Sequence, residues 1–95
     1  MINSTKIPTP HAQVATRTVD GAAVIVLADS GQVNVLNSVG TFIWEFVDGS
    51  RSVQEIADAL RAEYDVTAEQ ALQDVSDFLQ TLVDSQVVVL EDRAG

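Results

Sequence analysis

Apolar and polar positions along the chain change period once. Up to Leu36 the apolar residues fall in short β-branched runs; from Asn37 onward they recur every three or four residues. The first part therefore predicts strands and the second helices. Residues 14–19 (VATRTV) read as a short strand, followed by Asp20-Gly21, a two-residue hairpin signal because both tolerate positive φ. Residues 22–28 (AAVIVLA) form an unbroken apolar run, which predicts a central strand covered at least in part on both faces. Asp29-Ser30-Gly31 makes the next turn, and residues 32–36 (QVNVL) make a third strand. Two tight turns in succession predict an antiparallel meander with the 22–28 strand in the middle.

Three helices are predicted next. The first covers residues 38–47, with Asn37 or Ser38 as its cap. Val39, Phe42, Ile43, Phe46 and Val47 lie on one stripe that Trp44 widens, so this helix must be buried on more than one side. Gly40 within it costs ~1 kcal/mol against Ala. The return is close backbone approach by a neighbour, either the second helix or a C-terminal strand. Gly49 fits a helix end. The second helix opens with the capping box Ser52-Val53-Gln54-Glu55 and turns Val53, Ile56, Ala57, Leu60 and Tyr64 to the core. The third opens at Thr67-Ala68-Glu69-Gln70, read as another box, and runs to about Ser85. Its stripe is Ala71, Leu72, Val75, Phe78, Leu79, Leu82 and Val83. That arc spans roughly 140° at ~100° per residue. It is wider than one packing contact needs. Residues 86–90 (QVVVL) form a short final strand, residues 1–12 a flexible arm with Pro8 and Pro10, and residues 91–95 a frayed tail. Strands followed by helices predict a single α+β domain over residues 13–90, helices on one face of a small sheet. The last two helices resemble a helix-turn-helix.

Composition narrows the function by exclusion. The 95 residues suffice for one domain that folds without staples. The chain has no cysteine, hence no disulfide, thiolate metal site or cysteine nucleophile. This is compatible with the cytosol, and a cytoplasmic location is expected. The net charge is −9, from 14 acidic and 5 basic residues. Such a field repels phosphate and anionic lipid, so neither nucleic acid nor membrane is an expected partner. It favours solubility or a basic partner. No apolar run approaches the ~20 residues of a membrane span, and residues 1–13 lack the apolar centre of a signal peptide.

The search for chemistry returns little. The single histidine, His11, lies in the arm and reads as an exposed loop residue. No His, Cys or Glu spacing suits a metal, so neither metal nor cofactor is expected. Asp74 and Asp77 share a helix side, but in an acidic amphipathic helix they read as a solvated face rather than acid–base partners. No serine has a base within reach by sequence, and no Gly-rich phosphate loop exists. The expectation is that the protein is not an enzyme. DNA recognition through the third helix would need Lys or Arg. Residues 68–85 contain neither and carry Glu69, Asp74, Asp77 and Asp84 instead.

The remaining feature is the third strand, QVNVL, which has no charge and no proline. In a three-stranded meander it is an edge, and proteins usually defend edges. An undefended edge beside a wide apolar helix stripe suits capture of a peptide as an added strand. Coverage by the N-terminal arm, or pairing of two such edges in a homodimer, are the competing readings.

The ordered set Leu36-Asn37, Gly40, Ile43-Trp44, Val47-Asp48-Gly49, Val53, Ile56 and Leu60, with Asp74-Val75, Phe78-Leu79 and Leu82, resembles the PqqD-like family over roughly residues 14–90. The resemblance implies a winged helix-turn-helix-like fold of three strands and three helices. It also implies a RiPP recognition element, a peptide chaperone without catalysis. Such a domain binds the leader of a ribosomally made precursor peptide against the third strand and third helix. It presents that leader to a modifying enzyme such as a radical-SAM enzyme, a cyclase or a leader protease. Carried onto this chain, the strand positions are Val33, Asn34, Val35 and Leu36, and the helix positions Leu72, Ser76, Leu79 and Val83. The family often has Gly near position 86, where this chain has Gln. The alternative is a winged-helix interaction or regulatory module without a leader peptide.

Overall fold

The computed structural model describes residues 3–92. Eight elements follow in order: β1 (Ile7–Pro10), β2 (Val14–Val19), β3 (Ala22–Leu27), β4 (Val33–Val35), α1 (Ser38–Glu45), α2 (Val53–Glu63), α3 (Ala68–Asp84) and β5 (Val88–Glu91). The predicted α+β meander with three following helices is what the chain forms. β2, β3 and β4 make an antiparallel sheet with β3 central. The turn at Asp20-Gly21 has φ of 52° and 82°, the two positive values a tight hairpin of this kind requires.

Strand β3 alternates: Ala23, Ile25 and Leu27 are buried, while Ala22, Val24 and Val26 are half-buried. The buried set joins Ile43, Trp44 and Val47 around α1, Val53, Ile56, Ala57 and Leu60 of α2, and Ala71, Val75, Leu79 and Leu82 of α3 in one core. The helices thus cover one face of the sheet only, and the other carries half-exposed valines.

Each helix start is capped by its own side chains. Asn37 Oδ1 accepts from the Gly40 N–H at 2.8 Å. The Ser52–Glu55 box closes in both directions, at 3.1 and 2.8 Å. Thr67 accepts from the Gln70 N–H at 3.1 Å. The expected second box forms only this half, because the Gln70 amide donates forward to Asp74 instead.

The segment expected to be a flexible arm is ordered over residues 3–12. β1 pairs antiparallel with β5, with Ile7↔Glu91, Pro8↔Leu90, Thr9↔Val89 and Pro10↔Val88. Ile7 is buried, and upstream of it the Lys6 and Ser4 carbonyls accept from the Val53 and Gln54 N–H groups. These are the first two donors of α2, which no intrahelical carbonyl can reach. The expected frayed tail is likewise ordered at its start: Glu91 belongs to β5, and Asp92 forms an ion pair with Lys6. The rest of that tail lies outside the described residues.

The final turn accounts for the departure at position 86. The Val87 N–H donates to the Leu82 carbonyl at 2.8 Å and the Gln86 N–H to the Val83 carbonyl at 3.1 Å. This is the Schellman pattern, which places the residue after the C-cap in the left-handed region. That residue is Gln86, with φ 61°. Gln adopts the conformation usually left to Gly, the chain reverses, and the expected final strand forms at Val88–Glu91, with Gln86 and Val87 taken up by the turn.

Candidate functional site

The site is built on β4 and the start of α1. The Leu36 N–H donates to the Ala23 carbonyl, and the Leu27 N–H to the Gln32 carbonyl, both at 2.9 Å. Between them lies the pair Ile25↔Asn34. In an antiparallel ladder, bonded pairs alternate with unbonded ones. The N–H and C=O of Asn34 therefore face β3, whereas those of Val33 and Val35 face the opposite way, toward the free edge. No described strand pairs with that edge. Neither β1 nor β5 covers it, since these two strands pair with each other.

The side chains alternate in the other sense. Val33 and Val35 are 56% and 69% exposed, on the face away from the helices beside Val24 and Val26. Asn34 shares the helix-side face with the fully buried Ile25 and is half-buried. Leu36 is half-buried as the chain turns into α1. That junction is fixed by Thr41, whose buried hydroxyl accepts from the Ala23 N–H at 3.0 Å and donates to the Leu36 carbonyl at 3.4 Å.

Gly40 determines how α3 approaches this edge. A Cβ there would lie 3.0 Å from Phe78 Cε1 and 3.4 Å from the Leu36 Cβ. The neighbour is thus not the expected second helix or C-terminal strand but the third helix, through Phe78. At ~100° per residue, Asp74, Phe78 and Ser85 form one flank of α3, and Leu72, Ser76 and Val83 the other. The flank turned toward β4 and α1 is the one carrying Phe78.

The named strand residues Val33, Asn34, Val35 and Leu36 therefore come together along one edge. The named helix residues do not join them. Leu79 is fully buried in the core and Ser76 is 2% exposed, so neither offers a surface to a peptide. Leu72 and Val83 are half-buried on the flank turned away from β4. Phe78, half-buried and set with Leu36 against Gly40, is the α3 residue that the structure brings to this edge, and it is not among those named from the sequence. The signal that could have found it was the pairing of a small residue inside α1 with a large one on α3.

The electrostatics are one-sided. The Gln70, Gln73 and Gln80 amides each donate to the Asp four residues later, at 2.7–2.9 Å, and α3 carries no cation among these pairs. No group of three or more His, Cys, Asp or Glu side chains that could hold a metal ion occurs among the described residues. No described helix is long and apolar enough to cross a membrane.

Two solved structures share this fold. One is described as TbiB1 in complex with the TbiA(beta) leader peptide. It superposes with a TM-score of 0.79 at 29% identity, covering 92% of this chain and 99% of that one. The other is described as lasso peptide synthetase B1 complexed with the leader peptide. It has a TM-score of 0.79 at 21% identity and covers 87% of this chain and 98% of that one, a likeness of fold. A search of curated proteins found no match. The family described as coenzyme PQQ synthesis protein D (PqqD) matches residues 22–88, from β3 through α3 into β5. The meander edge, the glycine that admits α3 and the matched span agree, and the chain belongs to the PqqD family.

Proposed function

We propose that this protein is a non-catalytic peptide chaperone. It binds the leader of a ribosomally synthesised precursor as a strand added to β4, and presents it to a modifying enzyme. The observation that carries the reading is the outward set of Val33 and Val35 backbone groups. They offer two donors and two acceptors on an edge with no charged side chain. Main-chain bonds would set register, while Leu36 and Phe78 give apolar contact on the helix side. Two structures of the same fold, one of them 29% identical, hold leader peptides by description, which supports the same class of ligand here.

The enzyme it serves is of the kind that acts on precursor peptides: a radical-SAM enzyme, a cyclase or a leader protease. The site uses no cofactor of its own. The same edge would accept the β4 of a second copy, so a homodimer and the leader compete for it. A cytoplasmic location fits the place where precursors are made. A winged-helix DNA regulator finds no support in α3, where acidic side chains occupy the helix that would enter a groove.

The test is a titration with the leader segment of any precursor peptide encoded near this chain's gene, read by fluorescence anisotropy. Val35→Pro removes one of the two outward donors and the room for an added strand. Binding should fall by more than tenfold while the thermal transition stays cooperative. Equal affinity in the folded proline variant would rule out strand addition at β4.

A further inference from the structure

Asn34 is the one polar side chain that β4 turns toward the helices. Its neighbour across the ladder, Ile25, is fully buried, and the next residue on the same face, Leu36, packs by Gly40 and Phe78. Ile25 and Leu36 beside the position are apolar, yet the residue is an amide. That amide forms no hydrogen bond with any described residue. The amides of Gln54, Gln70, Gln73 and Gln80, by contrast, each donate to an Asp one turn on. Asn37, three residues later, uses its side-chain oxygen to cap α1. Asn34 therefore combines a half-buried location with an unused donor and an unused acceptor.

The ladder fixes what would meet it. A strand added antiparallel, like every pairing in this sheet, would exchange bonds with Val33 and Val35. Asn34 would then face one peptide residue in an unbonded pair. In such pairs the two Cα atoms approach to about 4.5 Å and the side chains are in contact. The peptide residue two positions away on the same face would lie beside Leu36 and Phe78. The residues between would point to the open face, next to Val33 and Val35.

Resting on the proposed peptide-binding function, we infer that Asn34 is a specificity-determining residue. It selects a leader in which a side chain with hydrogen-bonding capacity (Ser, Thr, Asn, Gln or Tyr) sits opposite it, two residues from an apolar side chain held by Leu36 and Phe78. A purely apolar residue opposite Asn34 would leave the amide desolvated without a partner, which costs more than the bond itself contributes. Polar and apolar leaders should differ about two- to tenfold in Kd, the range of one neutral hydrogen bond.

The experiment selects displayed, randomised linear peptides on three forms of the full chain: the unaltered protein, Asn34→Val and Asn34→Thr. The peptides enriched on the unaltered protein should show a polar position spaced two residues from an apolar one. With Asn34→Val the polar position turns apolar and the other stays. With Asn34→Thr, which keeps a donor and an acceptor, the polar preference returns. Kd values for one enriched peptide and its polar-to-Leu variant, on the unaltered and Val forms, then close a double-mutant cycle. The same residue enriched at that position on all three proteins would overturn the inference while leaving strand addition standing. Failure of any peptide to enrich would overturn the peptide-binding reading and the inference with it. Cooperative urea transitions for both variants exclude a folding defect as the cause of either result.

Discussion

β1 and β4 are both short strands at the rim of a sheet, and they treat their outer edges in opposite ways. In β1, Thr9 sits between Pro8 and Pro10. The His11 N–H donates to the Val87 carbonyl on the partner side, so residues of that parity face β5 and the two prolines face outward. The outward positions thus have no N–H to offer. The one outward carbonyl with a protein partner, that of Pro8, accepts from Gly49 at 3.2 Å. In β4 the outward positions are Val33 and Val35, each with its N–H and C=O free. One edge is closed by proline and by packing; the other keeps its backbone groups available. β4 keeps an open edge, with the exposure to unwanted association that an unpaired edge brings.

Large-to-small substitutions in the two strands should separate stability from peptide binding. Ile7 is buried at 5% exposure, and Ile7→Ala should cost about 2–5 kcal/mol in urea unfolding. Val35 is 69% exposed, and Val35→Ala should change stability by no more than about 0.5 kcal/mol. Peptide affinity, measured per folded molecule, should be unmoved by the first. If Ile7→Ala weakened peptide binding without lowering stability, the two strands would not be independent.

The contrast also explains what was legible in the sequence. The meander was readable because Asp20-Gly21 and the 22–28 run are local signals that tertiary structure reinforces. The helix starts were readable for the same reason, since Asn37, Ser52 and Thr67 each bond within three residues. β1 was not readable, because two prolines in four residues argue against a strand unless their N atoms face away from the ladder. Only the pairing with β5, some eighty residues later in the chain, fixes that parity. The helix positions named from the sequence, Leu72, Ser76, Leu79 and Val83, lie off the β4 edge for a related reason. A stripe of seven apolar residues on α3 does not say which flank meets β4; Gly40 and its contact with Phe78 do. The strand proposed to take a peptide, Val33 to Leu36, could be named from the sequence because missing charge and missing proline are visible without coordinates.

The turn that connects α3 to the closed edge offers a gain. Gln86 holds φ at 61°, where a Cβ crowds the following carbonyl at a cost of roughly 1–2 kcal/mol. Gln86→Gly removes that strain but adds backbone entropy to the unfolded chain, worth roughly 0.5–1 kcal/mol. A net stabilisation of about 0.5–1 kcal/mol is expected in urea melts. It should leave peptide affinity unchanged, because the turn feeds β5 and the β1 pairing rather than β4. A destabilised glycine variant would mean that the Gln86 side chain contributes more than its conformation costs.

The smallest expected effect lies in the loop that receives β1. Asp48 accepts from the Ser50 hydroxyl at 2.6 Å and the Ser50 N–H at 3.0 Å, and pairs with Arg51 at 2.7 Å. Arg51 in turn lies over the Phe46 ring, 5.0 Å from its centroid. The hydrogen bonds from Ser50, with the Arg51 charge, hold the Asp48 carboxyl below its ordinary value of 3.8. A carboxylate whose folded pKa is depressed contributes stability above the unfolded value and loses it as the pH falls through the folded one. The cluster is exposed to water, so the contribution is that of a surface interaction and is small. Asp48→Asn should therefore be slightly less stable than the unaltered protein at neutral pH, and the gap should close in acid below the folded pKa. Urea melts on both sides of that value read the difference directly. A gap of constant size across the range would mean that the Asp48 charge does not shape the loop whose Gly49 N–H donates to the Pro8 carbonyl.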